Sequence, residues 1–211
     1  MPDPEPGLRE RKRHATRLAI QQAALRIAVE DGLGAVTVDE ISRRADVSPR
    51  TFFNYFANKE QAILGDDPRL PDDAALQAFV EGGPSGELVP DIGALLVHSA
   101  QAFFTERGLV AERQQVLRAN PELFSRRMAS MQEFQAEVQA AVARRLECAD
   151  PVLAADPEGL RRRAGLAAVI ALAALRHAWW EWSASDAGGE LVDELERSFA
   201  ELGALVSRSL V

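Results

Sequence analysis

The sequence predicts an all-α protein, and three observations carry that prediction. Its hydrophobic residues, 47% of 211, are mostly Ala, Leu and Val, with Ile, Thr and Tyr sparse, a balance that favours helix over sheet. Apolar positions recur at spacings of three and four. Gly and Pro cluster at intervals that cut the chain into segments of helical length.

The chain is long enough for one large domain or two small ones. Its single cysteine, Cys148, forms no intrachain disulfide and supplies no Cys-based zinc site alone, which fits a reducing cytoplasm. Pro2, Pro4 and Pro6 precede a charged run, so the start lacks the apolar core of a signal peptide. The longest apolar run, Leu166 to Leu175, falls short of the roughly 20 residues that span a bilayer, so no membrane partner is expected.

A formal charge of −8 argues at first against nucleic acid, whose phosphates attract cations. The distribution reverses that reading. Up to Gly65 ten basic residues face nine acidic ones, leaving about +1 there and about −9 in the remainder, which suggests two zones with different partners.

The elements follow in order. Residues 1–8 read as a disordered tail. Leu18, Leu25, Ala28 and Val29, with Ile20, Ala24 and Ile27 between them, give the stripe of a first helix that stops at Gly32 and Gly34. Thr37 with Glu40 three residues later is a capping-box signal for a short helix over about 38–45. Ser48 then offers an N-cap with Pro49 at the first helical position, where its missing N–H costs nothing, and a third helix runs to about Tyr55. Asn58 caps a fourth, with Gln61 at the box position and Gly65 near its end. The stretch from Asp66 to Asp73 reads as a loop and as the domain boundary, giving 9–65 and 66–211. Further helices are expected at about 72–81, 90–107, 109–119, 121–148, 157–183 and 189–209.

The second and third helices, joined by a tight turn, have the dimensions of a helix-turn-helix, whose second helix enters the DNA major groove. At 100° per residue Phe52 and Phe56 share a face that packs with Ile41 and Val47. Arg50 and Asn54 share another, beside Thr51 and Tyr55. Arg suits guanine, Asn suits adenine, and Thr can meet a thymine methyl. An ordinary helical corner is the plain alternative. Arg9, Arg11, Lys12 and Arg13 read either as a DNA-reaching basic arm or as a solvated charge run.

The run Thr37, Asp39-Glu40-Ile41, Ala45-Asp46-Val47-Ser48, Thr51-Phe52-Phe53-Asn54-Tyr55-Phe56 and Asn58-Lys59-Glu60 resembles the TetR family signature, over about residues 10–65. The resemblance implies a DNA-binding transcriptional regulator, by default a repressor, in which Thr37, Ser48, Arg50, Thr51, Phe53, Asn54, Tyr55 and Lys59 contact a double-stranded operator. Phe53 departs from the common Tyr and loses its hydroxyl. Pro49 and Arg50 also depart from the usual residues, so operator preference does not transfer.

In the C-terminal zone Leu166 to Leu175 is apolar on every side and is expected to be buried all round. Leu191, Leu195, Phe199, Leu202, Leu205, Val206 and Leu210 form a stripe. These suit a helical pair that packs on its own domain and on a second copy. The resemblance implies a homodimer, and two recognition helices about 34–36 Å apart match successive major grooves. It also implies a small, largely apolar inducer, for which His98, Gln101, Phe104, Arg118, Phe124, Met128, Met131, Arg176, Trp179 and Trp180 are the candidate ligand-binding residues. Phe103 and Phe134 are weighed with them. An aromatic or Met stripe is more often core than pocket. His177 and Glu181, four apart, read as a surface pair rather than a metal site.

No cofactor, metal or catalytic set is expected: His14, His98 and His177 show no nucleophile–base spacing, and no phosphate loop is present. The expected mechanism is allosteric, with inducer binding and DNA binding weakening each other by the same factor. The rival reading keeps the DNA-binding helices and gives the C-terminal domain to protein–protein contact without an inducer.

Overall fold

The computed structural model describes residues 7–71, 73–103, 107–184 and 189–208, and among them it contains helices and turns but no strand. The predicted all-α class is therefore observed. The helices are α1 (Leu8–Glu30), α2 (Val38–Arg44), α3 (Pro49–Phe53), α4 (Lys59–Leu64), α5 (Asp73–Val80), α6 (Leu88–Phe103), α7 (Val110–Ala119), α8 (Pro121–Ala149), α9 (Pro151–Ala154), α10 (Pro157–Ala184) and α11 (Leu191–Arg208). Single 3₁₀ turns at Leu33–Ala35 and Arg107–Leu109 precede α2 and α7.

Three elements differ from the sequence reading. α1 begins at Leu8, so Arg9, Arg11, Lys12 and Arg13, read as a basic arm or as a solvated charge run, are exposed positions on a helix. That run has no apolar periodicity to betray it, yet Arg, Lys and Glu are good helix formers. α3 ends at Phe53, with Asn54 as its C-cap. Between Pro151 and Pro157 lies α9, whose N-cap Asp150 accepts from the amides of Val152 and Leu153. Residues 1–6 of the expected tail lie outside the described residues.

The chain divides into two compact units, Met1–Asp67 with Thr105–Met128 and Pro68–Phe104 with Ala129–Val211. The stretch after residue 104 thus returns to the first unit, which the sequence reading did not anticipate. That unit closes over large side chains. Ile20, Leu25 and Ile27 of α1, Ile41 of α2, Phe52 and Phe56, and Ile63 of α4 are buried, joined by Leu109, Val116 and Leu123. Each fully buried side chain of this size contributes about 1.5–3 kcal/mol by leaving water. α7 packs on α1, and its buried Arg113 donates to the Ile63 carbonyl at 2.8 Å.

The second unit is organised around α6, α10 and α11. Phe199 of α11 lies so close to α6 that a Cβ at Gly93 would sit 2.7 Å from its ring, so only glycine fits there. α10 buries Ala164, Ala168, Ala171, Ala174 and Ala178. Its larger residues Leu166, Val169 and Ile170 are exposed, at 62%, 52% and 36%. Within one chain α10 is thus covered along its alanine stripe, with Gly159 and Trp182, and the face that the sequence reading gave to a second copy is open.

A buried ion pair holds another part of this unit. Arg145 of α8 donates to Asp91 of α6 at 2.7 Å, with the two side chains 6% and 1% exposed. Arg145 also donates to the carbonyls of Phe79, Gly82 and Gly83 and stacks on the Phe79 ring. Asp91 accepts from Ser85 Oγ and from the amides of Ser85 and Gly86. Burial opposes the Asp91 charge, yet these bonds outweigh it and hold the carboxyl below its ordinary value.

Candidate nucleic-acid interface

α2 starts where Thr37 Oγ1 accepts from the Glu40 amide at 3.2 Å. The reciprocal half of the expected capping box is replaced by ion pairs. Glu40 Oε1 and Oε2 accept from Arg43 at 2.6 and 2.8 Å, and Oε1 accepts from Arg44 at 2.9 Å. Hydrogen bonds from Arg43 and then Arg44 hold the Glu40 carboxyl down at about 2. Arg44 also reaches Glu30 and Asp31, each at 2.6 Å. The two cations of α2 are thus engaged by acids of the protein itself.

The turn to α3 is closed by the Val47 amide bonding the Ser42 carbonyl at 3.0 Å, with Asp46 at φ 53°. Asp tolerates this left-handed conformation better than most residues. Ser48 then caps α3, its Oγ accepting from the Thr51 amide at 3.0 Å and meeting Thr51 Oγ1 at 2.8 Å.

α3 sorts its side chains by face. Phe52 and Phe56 are buried, their ring centroids 5.9 Å apart. Arg50 and Asn54 are exposed, and among the described residues Arg50 has no ion-pair partner. Phe53 is 58% exposed, its ring held edge-on against Phe52 at 5.4 Å. This places guanidinium, amide and aromatic ring together on the outside of a short helix, with Ser48 and Thr51 at its start.

Two residues read from the sequence as DNA contacts sit differently. Tyr55 follows the end of α3, is half-buried and packs against the core cluster. Lys59, the first residue of α4, donates from Nζ to the Val36 carbonyl at 2.8 Å, tying α4 to the strand of chain that enters α2. An ammonium keeps two further donors.

Sequence reasoning missed the side chains that hold this domain from behind. Arg17 of α1 reaches the Tyr55 carbonyl at 3.2 Å and Asp66 at 2.5 Å. The cap read from the sequence at Asn58 is present: it accepts from the Gln61 amide, while Gln61 Oε1 takes the Ala57 amide. Arg113, pushed down to about 10 chiefly by burial and then by the charge of Arg127, lies behind α4. Pairs 38 to 50 residues apart leave no local signal.

The candidate ligand residues are scattered. His98, Arg118, Phe124, Met128, Arg176 and Trp180 are exposed, while Met131 and Trp179 are half-buried. Arg118, Phe124 and Met128 fall in the first unit, the rest in the second. Phe104 and the side chains of Gln101 and Phe103 lie outside the described residues. Phe134 is buried at 2% exposure. His177 Nδ1 meets Ser198 Oγ at 3.0 Å, not Glu181, and among the described residues no group of three potential metal ligands converges.

Residues 20–63 match the family model of the bacterial regulatory proteins of the tetR family. The chain is 40% identical over 82 residues to the HTH-type transcriptional regulator TcmR of Streptomyces glaucescens, covering 39% of this chain and 35% of that one. It is 46% identical over 48 residues to the HTH-type transcriptional regulator BetI of Rhizobium meliloti, covering 23% of this chain and 24% of that one. The matched region thus spans about a third or less of these relatives. The solved structure of Thermus thermophilus FadR with lauroyl-CoA aligns over 92% of this chain and 95% of its own, at 21% identity and a TM-score of 0.42, too distant to add to the assignment. The likeness to the tetR family of bacterial regulatory proteins is thus carried by the helix-turn-helix segment, residues 20–63.

Proposed function

We propose that the protein is a dimeric transcriptional regulator, in the simplest case a repressor, that binds a palindromic double-stranded operator and is released by a small, largely apolar ligand. The observation that carries the DNA-binding part is the sorting of α3, with Phe52 and Phe56 buried beneath exposed Arg50, Phe53 and Asn54. Arg50 is suited to guanine and Asn54 to adenine. Thr37, Ser48, Thr51, Tyr55 and Lys59 complete the proposed contact set. Alanine at Arg50 or Asn54 is expected to weaken specific binding by about 1–3 kcal/mol each. Unchanged affinity for genomic fragments selected by the purified wild-type protein overturns the assignment.

The dimer is supported by exposed Leu166, Val169 and Ile170 on α10, apolar area that a second copy would remove from water. Light scattering at micromolar protein should give twice the chain mass, and a monomeric mass refutes it. The ligand is supported by family likeness alone. A small molecule retained through purification and identified by mass spectrometry supports it. A ligand-free protein whose C-terminal domain instead captures a protein partner favours the rival without an inducer.

A further inference from the structure

α3 has five residues, too few for its own hydrogen bonds to hold it helical. Ser48 fixes its start and Phe52 its underside, but its exit is held from α1. The guanidinium of Arg17 lies 4.4 Å over the Phe56 ring, donates from Nη1 to the Tyr55 carbonyl at 3.2 Å and from Nη2 to Asp66 at 2.5 Å. One planar fork thus meets a ring, a carbonyl and a carboxylate. The Asp66 carbonyl is itself fixed by Arg127 at 3.3 Å, and Gln61 reaches the Asp66 carboxylate at 3.5 Å.

We propose that Arg17, oriented by Asp66, is a positioning residue for DNA recognition that sets the exit of α3 instead of gripping phosphate itself. This rests on the DNA-binding reading above. Lys would retain the charge at position 17 but not the fork that serves two acceptors at once. Asp66 gives the inference its sharpest edge. On charge alone, removing an acid from a DNA-binding unit strengthens binding; if Asp66 works by holding Arg17 in place, removing its charge weakens recognition.

The test uses full-length Asp66→Asn, Arg17→Lys and Arg17→Gln. Affinity is measured across salt concentrations for a duplex selected by the wild-type protein from a random pool and for its shuffled counterpart. Amide exchange at Asn54 to Ala57 is followed without DNA. All three variants should lose roughly tenfold in affinity for the selected duplex, the scale of one charge-assisted hydrogen bond. The shuffled duplex and the salt slope should stay at wild-type values, and exchange at Asn54 to Ala57 should accelerate. Tighter or unchanged binding by Asp66→Asn overturns the proposal, as does wild-type affinity in Arg17→Lys. A salt slope lowered by about one in Arg17→Gln makes Arg17 a phosphate contact and overturns it as well. If the wild-type protein selects no duplex, the DNA-binding reading falls. The exchange rates then decide the positioning claim, faster in Asp66→Asn supporting it and wild-type rates overturning it.

Discussion

The helix-turn-helix unit and α10 are both rich in apolar residues, and they use them in opposite ways. In the first, Phe52, Phe56, Ile20, Leu25 and Ile41 are all at 1% exposure or less. In the middle of α10, from Ala164 to Ala178, the buried positions are alanines, and Leu166, Val169 and Ile170 face out. Alanine contributes little transfer energy of its own but lets helix backbones approach, so α10 packs closely on its own chain with its small face. The large apolar face stays uncovered in the single chain. Apolar content alone therefore says that a helix will be buried, not that its own chain will bury it.

The largest effect expected from this contrast is on Phe52. Phe52→Ala should destabilise the protein by about 3–5 kcal/mol, through lost transfer energy and the cavity left behind. Leu166→Ala should cost almost nothing in urea unfolding of the monomer at low concentration, while weakening self-association. Equal losses at the two positions would break the contrast.

The second unit has a polar counterpart to the Phe52 core in Arg145 and Asp91. Arg145→Met leaves a carboxylate that is 1% exposed without its cation, and removing one partner of a buried pair typically costs about 3–5 kcal/mol. The double variant Arg145→Met with Asp91→Leu should recover much of that loss. A single variant as stable as the wild type would show that the remaining donors, Ser85 and Gly86, suffice.

A smaller effect sharpens the picture of close backbone approach. Gly93→Ala drives a Cβ to 2.7 Å from Phe199, and overpacking of this kind costs about 1–3 kcal/mol. Phe199→Leu in the same background should relieve part of it. The same substitution at Gly165, where the nearest atoms are 3.6 Å away on the flexible Gln139 side chain, should be neutral or stabilising because alanine favours helix.

These contrasts also mark what was legible in sequence. Thr37, Ser48 and Asn58 all accept the N-cap bonds that their position before an apolar run implied, because capping is decided within four residues. The ends of α7, α8 and α10 follow Pro and Gly for the same reason. The start of α1 was hidden, since a charged run carries no periodicity, and four-residue α9 is too short to have one. The apolar character of α10 was legible on every side, but which residues its own chain covers was not, because periodicity reports hydrophobicity and not the identity of the covering surface. At the candidate interface, the Phe52 and Phe56 face was legible, but not the half-burial of Tyr55, which lies beyond the end of α3. The Arg17 clamp, the Arg145 pair and the return of residues 105–128 to the first unit depend on contacts distant in sequence, which no local pattern encodes.

The smallest expected effect concerns pH and separates the surface of α2 from the interior of the second unit. Glu40 is held at about 2 by bonds from Arg43 and Arg44, against about 4.3 in an unfolded chain. Because the folded value is the lower one, the stabilisation is complete above about 4.3 and disappears as pH falls through about 2. Glu40→Gln should therefore lower stability by a small, constant amount at neutral pH, with the difference from wild type closing between pH 4.3 and 2. Salt should narrow it at every pH, since the pairs are at the surface. Asp91 is also lowered, so its contribution has the same sign and is lost on acidification, but its burial shields it from screening. Denaturant melts of Glu40→Gln and wild type at low and high salt decide the matter. A difference that persists at pH 2, or that salt leaves untouched, would mean that Glu40 acts through packing of α2 and not through its charge.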